Sequence, residues 1–334
     1  LSFLFCVTAP MVLMANQKYA AMVMDARSGE ILHSENANKR LHPASLTKMM
    51  TLYVVFQAVE NGEISLDKKV KISRHAASEP PSKLYLRSGQ KVKLRYLIRA
   101  AAVKSANDAA TALGEAIEGS EAAFARRMNR TAKAMGMNRT TFKNAHGLTE
   151  PGHLSTARDM TILGRHLFYD FPEYYNLFAR KTTSAGSTKV RNTNRRFLSN
   201  YRGADGIKTG YTRAAGYNLV ASANRNGERI ITTVFGGRTT TTRNAQVAKL
   251  MNLGFKKAPR NVKIQKPKPP SYTAIARASQ VKSMSKSLRP KIRPENNENG
   301  ILIATNEYRS DILSALKQAQ VADKLVERTS ELYT

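Results

Sequence analysis

The spacing of apolar and polar positions changes several times along the chain, and each change marks an element. From Tyr19 to Ser34, two short apolar runs flank the polar Asp25-Ala-Arg-Ser-Gly29. That pattern predicts a β-hairpin with a four- or five-residue turn. Pro43-Ala-Ser45 opens a long helical pattern that runs to about Glu60 and is closed by Asn61-Gly62. From Ile64 to about Leu167 the text is Ala-rich with helical spacing, clearest over Leu94–Ala102 and Ala109–Ile117. Strand character returns in Gly206-Ile-Lys-Thr-Gly-Tyr-Thr212, Gly216–Asn224 and Arg229–Gly236. The last two are joined at Arg225-Asn-Gly227, and Asn-Gly is a strong hairpin signal. A final helix is expected over Thr242–Leu253, ending at Gly254. Strands at both ends of this region can meet in one antiparallel sheet, with the helical block as an insertion. The predicted class is α+β.

The two ends of the chain read differently. Residues 1–17 carry no charge, and the first basic residue is Lys18. The apolar run is shorter than the about 20 residues a spanning helix needs, and it fits the core of an export signal cleaved after Ala15 or slightly later. The chain opens on Leu, so the signal is expected to lack its basic front. Cys6 lies inside it, and cleavage leaves a mature chain without cysteine. Past Phe255, the stretch Lys256–Pro294 holds twelve Lys/Arg, no acid and six of the twelve prolines. Such a segment buries too little apolar surface to offset its ordering entropy, which predicts an extended linker. A helical pattern resumes near Ile301. The expected organisation is a signal over 1–18, a main folded domain over 19–258, a basic Pro-rich linker over 259–300 and a C-terminal helix over 301–334.

Composition narrows the function classes. With 42% hydrophobic and 23% charged residues, wholesale disorder and a polytopic membrane protein are excluded. One Cys excludes a disulfide framework, a Cys-based zinc site and a CxxC redox motif. Six His without HExxH weigh against a zinc hydrolase, and neither cofactor nor metal is expected. The formal charge of +30 favours anionic partners: nucleic acid, acidic lipid or acidic wall polymer. An export signal, and the lack of helix-turn-helix, zinc-finger or aromatic ribonucleoprotein motifs, argue against nucleic acid.

Three short motifs carry candidate chemistry. Ser45-Leu-Thr-Lys48 places a hydroxyl and an amine at i and i+3 of a helix, on one face. An uncharged Lys there can take the Ser proton. Six Ser-x-x-Lys matches occur, but only Ser45 follows a proline at the start of a long apolar helix. Orphan backbone N–H groups at such a start favour a developing oxyanion. Ser105-Ala-Asn107 lies between two Ala-rich helical stretches, where a turn could aim both side chains into a cleft; an ordinary helix cap reads equally well. Lys208-Thr-Gly210 is the single Lys-Thr-Gly in the chain. Gly210 would let a substrate backbone lie close, while Lys208 and Thr209 would face a carboxylate.

In order and spacing, Ser45, Ser105 and Lys208 resemble the active-site-serine penicillin-recognising enzymes. The match is best to the low-molecular-mass penicillin-binding proteins of peptidase S11 type, the D-alanyl-D-alanine carboxypeptidases. It spans about Tyr19–Phe255 and includes Pro43-Ala-Ser-Leu-Thr-Lys-Met-Met-Thr51, Lys104-Ser-Ala-Asn-Asp-Ala-Ala110, His146-Gly-Leu148, Ser155-Thr-Ala-Arg-Asp-Met160, Asp205-Gly-Ile-Lys-Thr-Gly-Tyr-Thr212 and Ala215-Gly-Tyr-Asn-Leu-Val-Ala221. The resemblance implies a β-lactamase/DD-peptidase-like antiparallel sheet covered by helices, with an inserted helical subdomain. It implies that Ser45 attacks the penultimate D-Ala carbonyl, Lys48 is the base, Ser105 relays the proton and Asn107 holds the substrate amide. Backbone N–H groups of Ser45 and Tyr211 would form the oxyanion hole. Thr209 and Arg243 would bind the terminal carboxylate, with Arg238 as the other candidate, and Asp159 would order a loop at the cleft.

The implied partners are peptidoglycan stem peptides and β-lactams as covalent inhibitors, in cell-wall biogenesis and cell shape. The implied place is exported, periplasmic or wall-facing; the tail departs from the family's usual β-rich domain and amphipathic anchor, and its basic charge, not the resemblance, suggests a peripheral contact with anionic membrane. No Glu-x-x-Leu-Asn is found, which argues for a peptidase over a class A β-lactamase. The alternatives are an endopeptidase cutting D-Ala–diaminopimelate crosslinks and a catalytically silent wall-binding protein on the same fold.

Overall fold

The structure is a computed structural model and describes residues 18–270. The expected export segment with Cys6, and the tail from Ser271 with its expected helix, lie outside the described residues.

Strands from the two ends of this region form one antiparallel sheet, as the sequence pattern predicts. They are β1 (Ala20–Asp25), β2 (Ile31–Glu35), β7 (Ala204–Thr212), β8 (Gly216–Arg225) and β9 (Glu228–Gly237), in spatial order β2-β1-β9-β8-β7. The inner strands are apolar on both faces because both faces are covered. Along β1, Ala20, Met22 and Met24 enter one core cluster, while Ala21 and Val23 enter the other. The first cluster is closed by α1 (Thr47–Glu60) and α6 (Ala157–Asp170), the second by α9 (Thr240–Lys257) through Val247, Leu250 and Met251. Every residue of α1 from Thr47 to Ala58 is buried. A helix so enclosed has no polar face, and its apolar run fixes it as the central post of the fold.

Between α1 and α6 lie α2 (Arg74–Ser78), α3 (Leu94–Arg99), α4 (Asn107–Glu118) and α5 (Glu121–Ala134). The block is not purely helical. A small hairpin, β3 (Lys69–Lys71) with β4 (Lys91–Lys93), pairs Val70 with Val92. Its Lys-Val-Lys alternation is three residues long, too short to stand out from Ala-rich surroundings. Two further helices, α7 (Pro172–Ala179) and α8 (Arg195–Asn200), and the hairpin β5 (Thr182–Ala185) with β6 (Thr188–Arg191), precede β7.

Helix α9 does not stop at Gly254 but continues to Lys257. A Cβ at Gly254 would stand 2.7 Å from Val23 Cγ1 and 2.8 Å from Ile230 Cγ2. That glycine serves close packing of helix on sheet, not termination. Beyond α9 the chain stays against the turn after β1. Arg27 Nη2 donates to the Pro259 carbonyl at 2.7 Å, Gln265 N–H donates to the Arg27 carbonyl at 2.8 Å, and Arg165 donates to the Gln265 carbonyl. The first basic, Pro-rich residues are therefore held through their main-chain groups, by the side chains of Arg27 and Arg165 and by one main-chain hydrogen bond.

Candidate active site

Ser45 sits in a single 3-10 turn, Ala44–Leu46, that leads into α1. Ala44 holds a positive φ of 51°, unusual for a residue with a Cβ, and this bends the chain sharply just before the serine. One turn on, Lys48 is fully buried. Its Nζ donates to Asn107 Oδ1 and to the His146 carbonyl, both at 2.7 Å, and lies 3.0 Å from Ser45 Oγ. A neutral amine has two hydrogens and one lone pair. Two acceptors and one hydroxyl match that inventory, with the lone pair left for the Ser45 proton. Burial, then the charge of neighbouring Lys208, pushes the Lys48 ammonium well below its ordinary value; Glu79 and Asp108 oppose this.

Ser105 and Asn107 come from a break between helices. A π-helical turn over Ala100–Lys104 ends at Ser105, whose φ of 64° and ψ of 36° are left-handed. Helix α4 then starts at Asn107. The Asn107 amide donates one N–H to the Pro80 carbonyl at 2.8 Å, and its backbone N–H donates to the Ser82 carbonyl at 2.7 Å. Asp108 accepts from the backbone N–H groups of Leu84 and Leu86, at 2.9 and 3.1 Å, and fastens this wall of the cleft to α4.

Lys208 is on β7, the edge strand that runs past the Ser45 turn. Its Nζ donates to Ser105 Oγ at 2.7 Å. Burial, and then Arg243, lower its pKa to about 7. Thr209 Oγ1 donates to Thr193 Oγ1 at 2.7 Å. Gly210 is needed for a reason the sequence did not supply. A Cβ there would stand 2.8 Å from the Pro43 carbonyl oxygen and 3.1 Å from Ser45 N, so the close neighbour is the backbone at the serine itself. Arg243 is buried at the start of α9, donates to the Asn218 carbonyl at 3.2 Å and lines the cleft, whereas Arg238 is exposed. Asn218 in turn donates to the His42 carbonyl at 3.0 Å and to the Pro43 carbonyl at 3.2 Å, tying β8 to the segment that carries Ser45.

The three motifs thus meet in one cleft. Ser45, Ser105, Asn107, Thr209, Gly210, Tyr211 and Arg243 line it, with Lys48 and Lys208 hydrogen-bonded to its two serines. Among the described residues, no carboxylate lines it. Asp159 takes the Arg139 N–H at 3.1 Å and the Thr140 hydroxyl at 2.6 Å, so it orders the loop after α5 rather than touching the cleft. Reading from sequence missed Ser82, Thr193 and Thr240 on the cleft walls. None sits in a recognisable motif.

The family description D-alanyl-D-alanine carboxypeptidase (peptidase S11) matches residues 7–239. The chain belongs to this family. It is similar to the D-alanyl-D-alanine carboxypeptidase DacF of Bacillus subtilis (strain 168), with 40% identity over 247 residues, 72% of this chain and 63% of that protein. The chain therefore spans less than two thirds of that relative's length. Among solved structures, penicillin binding protein 5 from Haemophilus influenzae is 39% identical with a TM-score of 0.68, covering 71% of this chain and 70% of the other. Penicillin-binding protein D2 from Listeria monocytogenes, in an ampicillin-bound form, is 36% identical with a TM-score of 0.66, covering 73% of this chain and 99% of the other. The fold of the family member is the α+β arrangement with inserted helices that the sequence resemblance implies.

Proposed function

We propose that this family member is a serine-type D-alanyl-D-alanine carboxypeptidase that removes the terminal D-Ala from peptidoglycan stem pentapeptides. The observation that carries the reading is the buried Lys48 with its Nζ 3.0 Å from Ser45 Oγ and two other acceptors for its hydrogens. In this reading Lys48 takes the Ser45 proton as Oγ attacks the penultimate D-Ala carbonyl. The backbone N–H groups of Ser45 and Tyr211 receive the oxyanion, where one such donor typically contributes about 10²–10³ in rate. The C–N bond then breaks as Ser105 relays the proton taken up by Lys48 to the leaving D-Ala amine, and water, deprotonated by the freed Lys48, cleaves the Ser45 ester while Lys48 returns that proton to Ser45. Asn107 orients Lys48 through its oxygen and keeps one amide hydrogen for a substrate carbonyl. Lys208, Thr209 and Arg243 hold the terminal carboxylate. With no carboxylate lining the cleft among the described residues, water activation falls to Lys48 rather than to the extra Glu of class A β-lactamases, so a penicillin ester is expected to be long-lived, which supports β-lactams as covalent inhibitors.

The direct test is D-Ala release from a stem pentapeptide against cleavage of a crosslinked dimer. Faster cleavage of the dimer would overturn the reading in favour of an endopeptidase, and no turnover of either would favour a silent wall-binding protein. Arg243 gives a sharper check. A guanidinium fork grips a carboxylate with two parallel hydrogen bonds. Arg243→Ala is expected to lower kcat/KM on a free-acid peptide by about 2–4 kcal/mol while changing little on the C-terminal amide. An equal loss on both peptides would make Arg243 structural.

The same reading places the protein outside the cytoplasm, exported by its apolar leader, with the catalytic domain over 19–258. The basic tail would give a peripheral contact with anionic membrane. Fractionation of expressing cells checks both points. The protein is expected outside the cytoplasm and released from membranes by high salt; a cytoplasmic pool, or membrane binding indifferent to salt, would overturn them.

A further inference from the structure

We propose that His75, Glu79 and Glu121 form a site for one divalent cation of the zinc type, behind the cleft wall that holds Lys48 and Asn107. The sequence excluded Cys-based and HExxH sites, but this set is assembled from distant segments. His75 and Glu79 lie one turn apart at α2, and Glu121 is the first residue of α5. Their ligand atoms all lie within 4.8 Å of one another. His75 Nε2 is 2.9 Å from Glu121 Oε2 and 3.8 Å from Glu79 Oε1. Ligands held about 2.0–2.2 Å from a tetrahedral cation stand roughly 3.4 Å apart, so the three need move little to close on an ion.

The charge balance at this point supports the assignment. Glu79 and Glu121 are nearly buried, with 6% and 15% of their side chains exposed. Their other partners are neutral. Glu79 Oε1 accepts the Thr111 hydroxyl at 2.9 Å, and Glu121 Oε1 accepts the Ala145 N–H at 2.9 Å. His146 Nδ1 accepts the Leu148 N–H at 3.1 Å, which assigns its ring proton to Nε2, 3.3 Å from Glu79 Oε1 and 3.4 Å from Glu121 Oε1. Among the described residues, no Lys or Arg forms an ion pair with either carboxylate. Two sheltered carboxylates this close repel, and the compensating positive charge comes either from His75 itself, paired with both, or from an ion bound between the three side chains. His75 is the side chain placed to complete that site. It is 57% exposed, so an ion can enter past it and keep water on its open side. His146, with Nε2 within 3.4 Å of an oxygen of each carboxylate, is placed as the outer partner that orients such ligands.

The position gives the site a purpose. Glu79 leads directly into Pro80, whose carbonyl holds Asn107, and the carbonyl of His146 holds Lys48. A cation here fastens the two walls that position the buried amine.

The test uses the untagged full chain, stripped with chelator and titrated with ZnCl₂ by calorimetry, with thermal melts alongside. Wild type is expected to bind one Zn²⁺ and to melt at higher temperature once zinc is about 100 times its Kd. MgCl₂, a hard cation that prefers an all-oxygen shell, is expected to do neither. Exposed His75→Ala and near-isosteric Glu121→Gln should each weaken zinc at least about tenfold and remove the rise in melting temperature. Zinc binding unchanged in His75→Ala, or none by wild type up to about 1 mM, overturns the proposal.

Discussion

Ser45→Ala is expected to form no covalent adduct with fluorescent penicillin and to lose about 10⁶ in turnover of a stem peptide, the scale seen when a serine nucleophile is removed. The fold should survive. Lys48 keeps its other two partners, Asn107 Oδ1 and the His146 carbonyl, so losing the hydroxyl leaves no orphaned charge. Ser45 lies in a turn held from outside by Asn218 and β7 rather than by its own side chain. Denaturing electrophoresis after labelling reads the first effect and a thermal melt the second. A labelled Ser45→Ala band would move the nucleophile elsewhere, and Ser105 would be the next residue to replace.

Lys48→Arg is expected to reduce acylation by about 10²–10⁴, the usual contribution of a positioned base. The substitution keeps a long basic side chain, but a guanidinium stays protonated throughout the accessible pH range and offers no lone pair. Wild type should show the complementary pH behaviour. Only the neutral amine can accept the Ser45 proton, so the acylation rate climbs with pH as Lys48 deprotonates. Because burial and Lys208 push its folded value well below that of a free lysine, the climb comes at correspondingly lower pH. Lys208 has the opposite requirement in the proposed mechanism, where it would face the substrate carboxylate as a cation. With its pKa lowered to about 7 in the empty cleft, a falling limb should follow, displaced upward when an anionic substrate occupies the site. The two amines influence each other, and the apparent values of the bell belong to the pair. Stopped-flow acylation across pH checks this. Acylation by Lys48→Arg within tenfold of wild type at every pH would show that Lys48 holds geometry only.

The parts of the site that were legible in the sequence are those carried by side chains in short contiguous motifs. Ser45 and Lys48 could be paired because one helical turn brings i and i+3 together. Ser105 and Asn107 were readable as a break between helices, but not the π-helical turn that rotates Ser105 into left-handed backbone toward Lys208. The acceptors of Lys48 and Asn107 were harder to see. The carbonyls of His146 and Pro80 are main-chain atoms, and every residue has one. Thr193 reaches Thr209 from a turn with no motif at all. In the fold, the long hairpin β8–β9 and the central α1 were plain, whereas Gly254 misled. A glycine pressed against Val23 and Ile230 and a glycine ending a helix are the same letter, and only the partner surface distinguishes them. The cluster of His75, Glu79, Glu121 and His146 was invisible for the same reason, since its members converge only once α2, α5 and the following loop are folded.

The contact between Gly210 and the Ser45 turn bears on how such an enzyme could escape a β-lactam. A side chain at 210 would push β7 off the Pro43 carbonyl and Ser45 N, spoiling the backbone geometry that drug and substrate would share. Main-chain donors have no codon of their own to mutate. If β-lactams acylate Ser45 as proposed, resistance by altering the site would have few cheap routes through the strand. The accessible ones lie at rim residues such as Ser82, Thr193 and Thr240, which can narrow the entrance to a bulky drug while leaving a slender peptide its path.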